Sequence, residues 1–277
     1  MTLTLARHPD ADTHSSFAHT DHRPWPLPPG RWSWRQSWRD LLFAHWPVPV
    51  EAIRPHVPPG LAVQEFDGTS WIAVVPFRMA GVMRRPLPDL PWVSAFPELN
   101  VRVYVEADGK PGVFFFSLDA TNPLVVAVGR TLFHVPYFWA DMSMRREGEW
   151  IVYESVRRGG RGEGETGGKG EGETGGRGEG EAIFRGRYRP PSEVYRATPG
   201  TLEHFLTERY CLYAVAPDGS LSRTEVHHAP WPLQRAEAEI ETNTMTAAGG
   251  VAVDGPPAML HFARRLAVVV WGAVGVG

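Results

Sequence analysis

Between residues 96 and 105 the chain reads Phe-Pro-Glu-Leu-Asn-Val-Arg-Val-Tyr-Val, with apolar side chains at every second position. A strand of that period puts Leu99, Val101, Val103 and Val105 on one face and Glu98, Asn100, Arg102 and Tyr104 on the other. The stretch after it alternates too, with Val113, Phe115, Ser117 and Asp119 expected on one face, and the intervening Asp108-Gly109 is a hairpin turn. Similar patterns predict strands over 150–157, 182–189, 212–215 (followed by the Asp218-Gly219 turn) and 236–241, the last with Glu237, Glu239 and Glu241 on a solvent face. Residues 70–77 are apolar on both faces, as in a strand covered on both sides, and 61–66 is expected to pair with them across Asp67-Gly68.

Helix signals are few. Asn122-Pro123 is an N-cap with a first-turn proline and opens a helix over 124–133. Thr198-Pro199 opens a second, with Leu202, Phe205 and Leu206 at helical spacing, and a third over 49–54 must stop at Pro55. Residues 1–30 carry His8, His14, His19 and His22 without any apolar period, which predicts a disordered tail. Residues 159–181 hold a repeated octad, Arg-Gly-Glu-Gly-Glu-Thr-Gly-Gly and its near copies, with almost nothing to bury; it reads as the expanded tip of the hairpin between 150–157 and 182–189. These patterns describe one α+β domain over 31–271, mainly antiparallel β, with 272–277 as a short tail.

Composition narrows the function classes. With 277 residues, 43% of them hydrophobic, the chain can bury a large core. Its 28 basic and 31 acidic residues form no basic patch, so nucleic acid is not an expected partner. Within the octad repeat three basic residues meet six glutamates, leaving the rest of the chain formally neutral. The lone Cys211 makes no internal disulfide and is too few for a zinc or iron–sulfur site, which fits a reducing compartment. Residues 1–23 lack a secretory pattern and the apolar run 266–277 is too short to span a bilayer, so a cytoplasmic protein with no membrane partner is expected.

The polar face of 98–104 has two readings. It is the wet side of a half-buried strand, or it lines a barrel interior where Glu98 and Arg102 bind and polarise a small molecule. Ser117, across the hairpin, is expected near Glu98, Asn100 or Arg102, but without a histidine between Ser117 and Asp119 there is no triad. His227 and His228 point to opposite faces of a strand and cannot share a metal; one of them is expected to face a pocket, and no other metal motif is present. Trp38, His45, Trp46, Trp71 and Trp231 read as packing, Cys211 as inert, and Arg209 as a cation at a helix end.

Six segments, 38–49, 96–105, 112–120, 135–137, 207–213 and 227–233, closely resemble the YqjF-like family of uncharacterised bacterial proteins. That family is similar to the acetoacetate decarboxylase-like fold, which implies a cone or open double-sheet barrel around a cavity. In the decarboxylases a lysine forms a Schiff base; in the stretch here that resembles theirs, Gly129-Arg130 to Val135-Pro136, both lysines are replaced, by Tyr137 and Phe138. Only Lys110 and Lys169 exist, in a turn and in the repeat, so Schiff-base decarboxylation is not expected. The resemblance also aligns Glu98 with an active-site glutamate. The reading that results is a cavity protein for a small carboxylate- or carbonyl-bearing molecule: Glu98 and Tyr137 for acid–base chemistry, Arg102 or Arg130 for the anion, and Asn100, Ser117 and His227 as further lining, with no cofactor and no metal. A non-catalytic sensor, a purely structural Glu98–Arg102 ion pair, and self-association of the chain remain open alternatives.

Overall fold

Strands that are apolar on both faces need cover on both sides, and the chain provides it by closing one barrel and laying a second sheet over it. The computed structural model describes residues 14–87, 94–158 and 181–276. In chain order the strands are β1 (Trp34–Val48), β2 (Ala62–Val63), β3 (Ser70–Arg84), β4 (Ala95–Ala107), β5 (Lys110–Ala120), β6 (Tyr137–Glu147) and β7 (Trp150–Arg157), then β8 (Ile183–Arg189), β9 (Cys211–Val215), β10 (Leu221–His228), β11 (Leu233–Arg235), β12 (Glu237–Asn243), β13 (Met259–Val270) and β14 (Val274–Gly275). Four short helices join them: α1 (Val50–Ile53), α2 (Pro123–Leu132), α3 (Leu202–Thr207) and α4 (Met245–Ala248).

The pairing β5-β9-β10-β13-β1-β3-β4 returns to β5, which closes a barrel. All its contacts are antiparallel except β5 with β9. On its outer edge β5 changes partner: Val113 and Phe114 pair with β9, whereas Leu118 to Ala120 pair in parallel with the start of β6. From there β6, β7, β8 and β12 run on as an antiparallel sheet.

Alternate residues of β1 and β3 feed two cores. Leu41, Phe43, Ala73, Val75 and Phe77 pack inside the barrel with Val226 and Trp231. Leu42, Ala44, Ile72 and Val74 pack outside it, against Tyr153, Phe184 and Tyr188 of the second sheet. Each large apolar side chain fully buried in this way contributes about 1.5–3 kcal/mol. This is the mainly antiparallel α+β barrel with a second sheet expected from the sequence.

Local expectations differ in five places, the fifth at the C-terminus. Residues 62–63 pair with β4, not β3, because both edges of β3 are taken by β1 and β4 and only the end of β4, at Val105 and Glu106, is free. Helix α3 starts after Thr201, whose Oγ1 accepts from His204 N–H at 3.3 Å, since Gly200 (φ +85°) cannot be helical. Pro55 does not stop the third helix but continues it as a 3₁₀ turn over Arg54–His56, where its missing N–H falls in the first turn. Helix α2 is capped as expected, with Asn122 Oδ1 accepting from Leu124 N–H at 2.9 Å.

The fourth difference is the N-terminal segment. Residues 1–13 lie outside the described residues, but 14–30 are packed rather than a free tail. Ser16 is buried, Phe17 stacks on His227 with ring centres 5.3 Å apart, and Arg23 forms a 3.0 Å ion pair with Glu225. Individual anchors hold the segment, so it shows no apolar period. The expected C-terminal tail likewise contains β14, paired with β10. The octad repeat lies outside the described residues apart from Glu181; the strands on either side of it pair as the expected hairpin. Among the described residues no helix is long and apolar enough to cross a membrane.

Candidate functional site

The barrel encloses a cavity of about 380 Å³. Its polar wall is β4: Glu98, Asn100 and Arg102 alternate inward along the strand, as the two-residue period requires, and each is buried. This face is therefore not the wet side of a half-buried strand. No ion pair joins Glu98 to Arg102 among the described residues, so the purely structural pair falls; Asn100 stands between them on the face.

Glu98 meets Tyr137, the first residue of β6, whose Oη donates to Glu98 Oε2 at 2.8 Å. Burial pushes the Glu98 carboxyl up from 4.5 to about 7; the Tyr137 hydrogen bond opposes the rise and the nearby Asp119 charge adds to it. Burial, with the Glu98 charge behind it, holds the Tyr137 phenol well above its ordinary value. Near neutrality the pair is therefore a phenol beside a carboxyl that exchanges its proton readily. Tyr137 reaches this position across Gly129 of α2: a Cβ built on Gly129 would stand 2.3 Å from the tyrosine ring.

At the other end of the polar row, the last carbonyls of α3 hold two guanidiniums. Arg102 Nη2 donates to Leu206 O at 3.2 Å, and Arg209 Nε donates to Phe205 O at 2.8 Å. Arg209 Nη1 donates to Gln64 Oε1 at 2.6 Å. Burial lowers the Arg209 pKa to about 10, still far above neutrality. Among the described residues neither arginine has a carboxylate partner, and Arg102 Nε and Arg209 Nη2 have no hydrogen-bond partner. Arg209, expected as a helix-end cation, carries one further signal in the sequence: it directly precedes the apolar run Tyr210-Cys-Leu-Tyr213. Trp38 and Trp231, expected only to pack, stack on each other (centres 5.6 Å apart) and also form cavity wall. Burial raises the Cys211 thiol to about 12, which keeps it protonated.

Three expected site residues lie elsewhere. Ser117 faces away from the cavity because β5 carries an extra residue, Phe116, opposite the Val101–Arg102 step of β4, and this bulge breaks the alternation of β5: Phe115 and Leu118 line the cavity, while Ser117 sits opposite Val101 on the outer face. Asp119 follows it outward and pairs with Arg157 at 2.8 Å. Arg130 is exposed on α2, donates to Tyr137 O at 2.7 Å and borders a separate depression. His227 is buried beneath the N-terminal segment, with Nε2 on Ser16 O at 3.0 Å, and His228 bonds Ala229 O and Arg209 O; neither lines the cavity. Lys110 pairs with Glu225 at 2.8 Å, away from the cavity, and Lys169 lies outside the described residues. Among the described residues no group of His, Cys, Asp and Glu is placed to hold a metal ion.

Residues 35–267 match DUF2071, a family described as an uncharacterized conserved protein. The chain belongs to this family. One relative is the uncharacterized protein YqjF of Bacillus subtilis (strain 168), 42% identical over 245 residues that cover 88% of this chain and 93% of the relative. The matched span contains every cavity residue described above. Among solved structures the fold is similar to the enduracididine biosynthesis enzyme MppR complexed with pyruvate (TM-score 0.58, 12% identity, 93% of each chain). It is also similar to acetoacetate decarboxylase from Legionella pneumophila (TM-score 0.56, 14% identity, 93% of each chain). A third is an acetoacetate decarboxylase-like enzyme from Sphingomonas wittichii RW1 (TM-score 0.57, 14% identity, 91% of this chain and 98% of the other). At these identities the likeness shows an acetoacetate decarboxylase-like fold.

Proposed function

We propose that this DUF2071 protein binds a small carboxylate- or carbonyl-bearing molecule in the barrel and moves a proton on it. The observation that carries the reading is the 2.8 Å contact between Tyr137 Oη and a buried Glu98 whose pKa lies at about 7. A base poised near neutrality suits proton abstraction beside a carbonyl: Glu98 takes the C–H proton, the C–H electron pair shifts toward the carbonyl oxygen, and the Tyr137 phenol turns its one O–H from Glu98 to that oxygen as a hydrogen-bond donor. Arg102 takes the anionic end of the molecule. The described cavity wall holds no lysine, so the chemistry offered is acid–base and not Schiff-base decarboxylation.

That same lack of an amine favours a second reading, a sensor that binds without turnover. One pair of measurements separates them. Wild type and Glu98→Gln are compared by thermal shift against small carboxylic acids, keto acids and aldehydes, and stabilising compounds are then followed by NMR for exchange of the proton beside the carbonyl in D₂O. Exchange by the wild type, lost in Glu98→Gln, is the expected result. Binding without exchange leaves the sensor; no stabilisation by any compound removes both.

A further inference from the structure

The cavity is larger, greasier and more open to apolar contact than a four-carbon acid needs. At roughly 30 Å³ per water-sized group, 380 Å³ holds on the order of a dozen non-hydrogen atoms. Its buried polar groups are concentrated on β4, at Tyr137 and at the end of α3, with Gln36 and Arg84 as further polar lining on β1 and β3; the rest of the wall is dominated by side chains such as Phe77, Met79, Phe96, Val128 and Phe133. Depth separates the two ends. Glu98, Arg102 and Arg209 are 3%, 8% and 8% exposed, whereas Leu87, Leu124 and Leu132, also lining the cavity, are 54%, 58% and 43% exposed. Half of the large exposed hydrophobics among the described residues thus border this one opening, two of them on α2. Isolated exposed leucines need no explanation, but a cluster continuous with an apolar cavity marks a surface that something apolar covers.

The charge at the deep end points the same way. Arg102 and Arg209 lie over the Tyr104 ring, 5.7 and 5.1 Å from its centre, and neither meets a carboxylate among the described residues. Each retains an unpaired buried N–H, and their mutual repulsion helps to lower the Arg209 pKa. One carboxylate there would offset one of the two positive charges and ease the repulsion between them.

We propose that the cavity takes an amphipathic monocarboxylate of about ten carbons, its head at Arg102 and Arg209 and its chain running along the apolar wall to the leucine rim of α2. This deepens the proposed function and rests on its carboxylate reading; it adds Arg209 as a binding residue and a chain length that neither the family nor the fold assigns. A chain of this kind passes the Glu98–Tyr137 pair on its way to the rim.

Isothermal titration calorimetry at pH 7 with butanoate, hexanoate, octanoate, decanoate and dodecanoate, and with 1-decanol, tests it. Affinity is expected to rise about fourfold per methylene, the factor that burying each CH₂ supplies, and to level off near decanoate. 1-Decanol should bind at least tenfold more weakly than decanoate, and Arg209→Gln, which leaves only Arg102 at the head, should reduce that preference. Val128→Trp, which fills the mouth from α2, should weaken decanoate at least tenfold more than it weakens butanoate. If Arg209→Gln does not fold, the decanoate–decanol comparison and Val128→Trp carry the test. Butanoate binding as tightly as decanoate overturns the chain proposal and leaves the carboxylate reading standing. 1-Decanol matching decanoate, or no binding by any probe, overturns both.

Discussion

Glu98 is a residue whose position costs stability. Its carboxyl ionises at 4.5 when solvated and at about 7 in the barrel, so between those values the folded chain holds a proton that the unfolded chain has released. The stability this proton linkage provides is fully present below pH 4.5 and is lost as pH rises through 7, a change on the order of 3 kcal/mol. Glu98→Gln removes the linkage, keeps a partner for Tyr137 Oη, and should therefore raise the melting temperature above pH 7 while leaving it nearly unchanged below pH 5. Thermal denaturation across pH 5–8 checks this; a lower melting temperature at pH 8 would mean that the glutamate serves the fold. Asn100 and Arg102 were legible as members of the same face because period-two alternation is local. Ser117 was not, since the bulge that turns it outward belongs to the pairing of two strands and leaves no mark on either sequence alone.

At the scale of the element, α2 acts as the floor on which Tyr137 lies. Glycine inside a helix is about 1 kcal/mol worse than alanine, and Gly129 is held there by the tyrosine ring that occupies the space of its Cβ. Gly129→Ala should accordingly fail to deliver the usual helix gain: the Cβ would sit 2.3 Å from the ring, the ring must shift, and its contact with Glu98 is lost. The expected outcome is a lower melting temperature together with a Glu98 pKa, read by carboxyl-carbon NMR, that rises once its tyrosine donor is gone. Greater stability with an unchanged Glu98 pKa would show that the ring has room to yield. Helix α2 itself was readable from Asn122-Pro123, because capping is set by a few neighbouring residues. What it carries was not, because Tyr137 joins β5 only in the folded sheet.

Across the whole molecule, histidines tie the N-terminal segment to the barrel. His14, His22, His227, His228, His45 and His261 all have pKa values lowered chiefly by burial, His227 to about 4. Unfolded, each binds a proton near 6.5; folded, each binds it less readily, so their contribution is fully present above 6.5 and is lost as pH falls, for His227 through about 4. The melting temperature should decline steeply over that window, opposite in sign to the Glu98 effect. His227→Gln, with an amide donor for Ser16 O and no titration, should make the decline shallower, as circular dichroism melts at pH 7, 5.5 and 4.5 would record. An unchanged slope would remove His227 from the account.

The sequence by itself determined the strands, the main hairpins, α2 and the polar face of β4, because side-chain period, turn residues and caps act over a few positions. Its motifs carried the family and, through it, the acetoacetate decarboxylase-like fold. Only the tertiary structure decided that β5 returns to β4 and β9 to close a barrel, that this closure turns the polar face of β4 into a cavity wall, and that Arg209 joins it while Arg130, Ser117 and His227 do not. Those outcomes depend on which distant strands share an edge and where a bulge reverses a face, and such pairings are settled by the packing of the whole barrel.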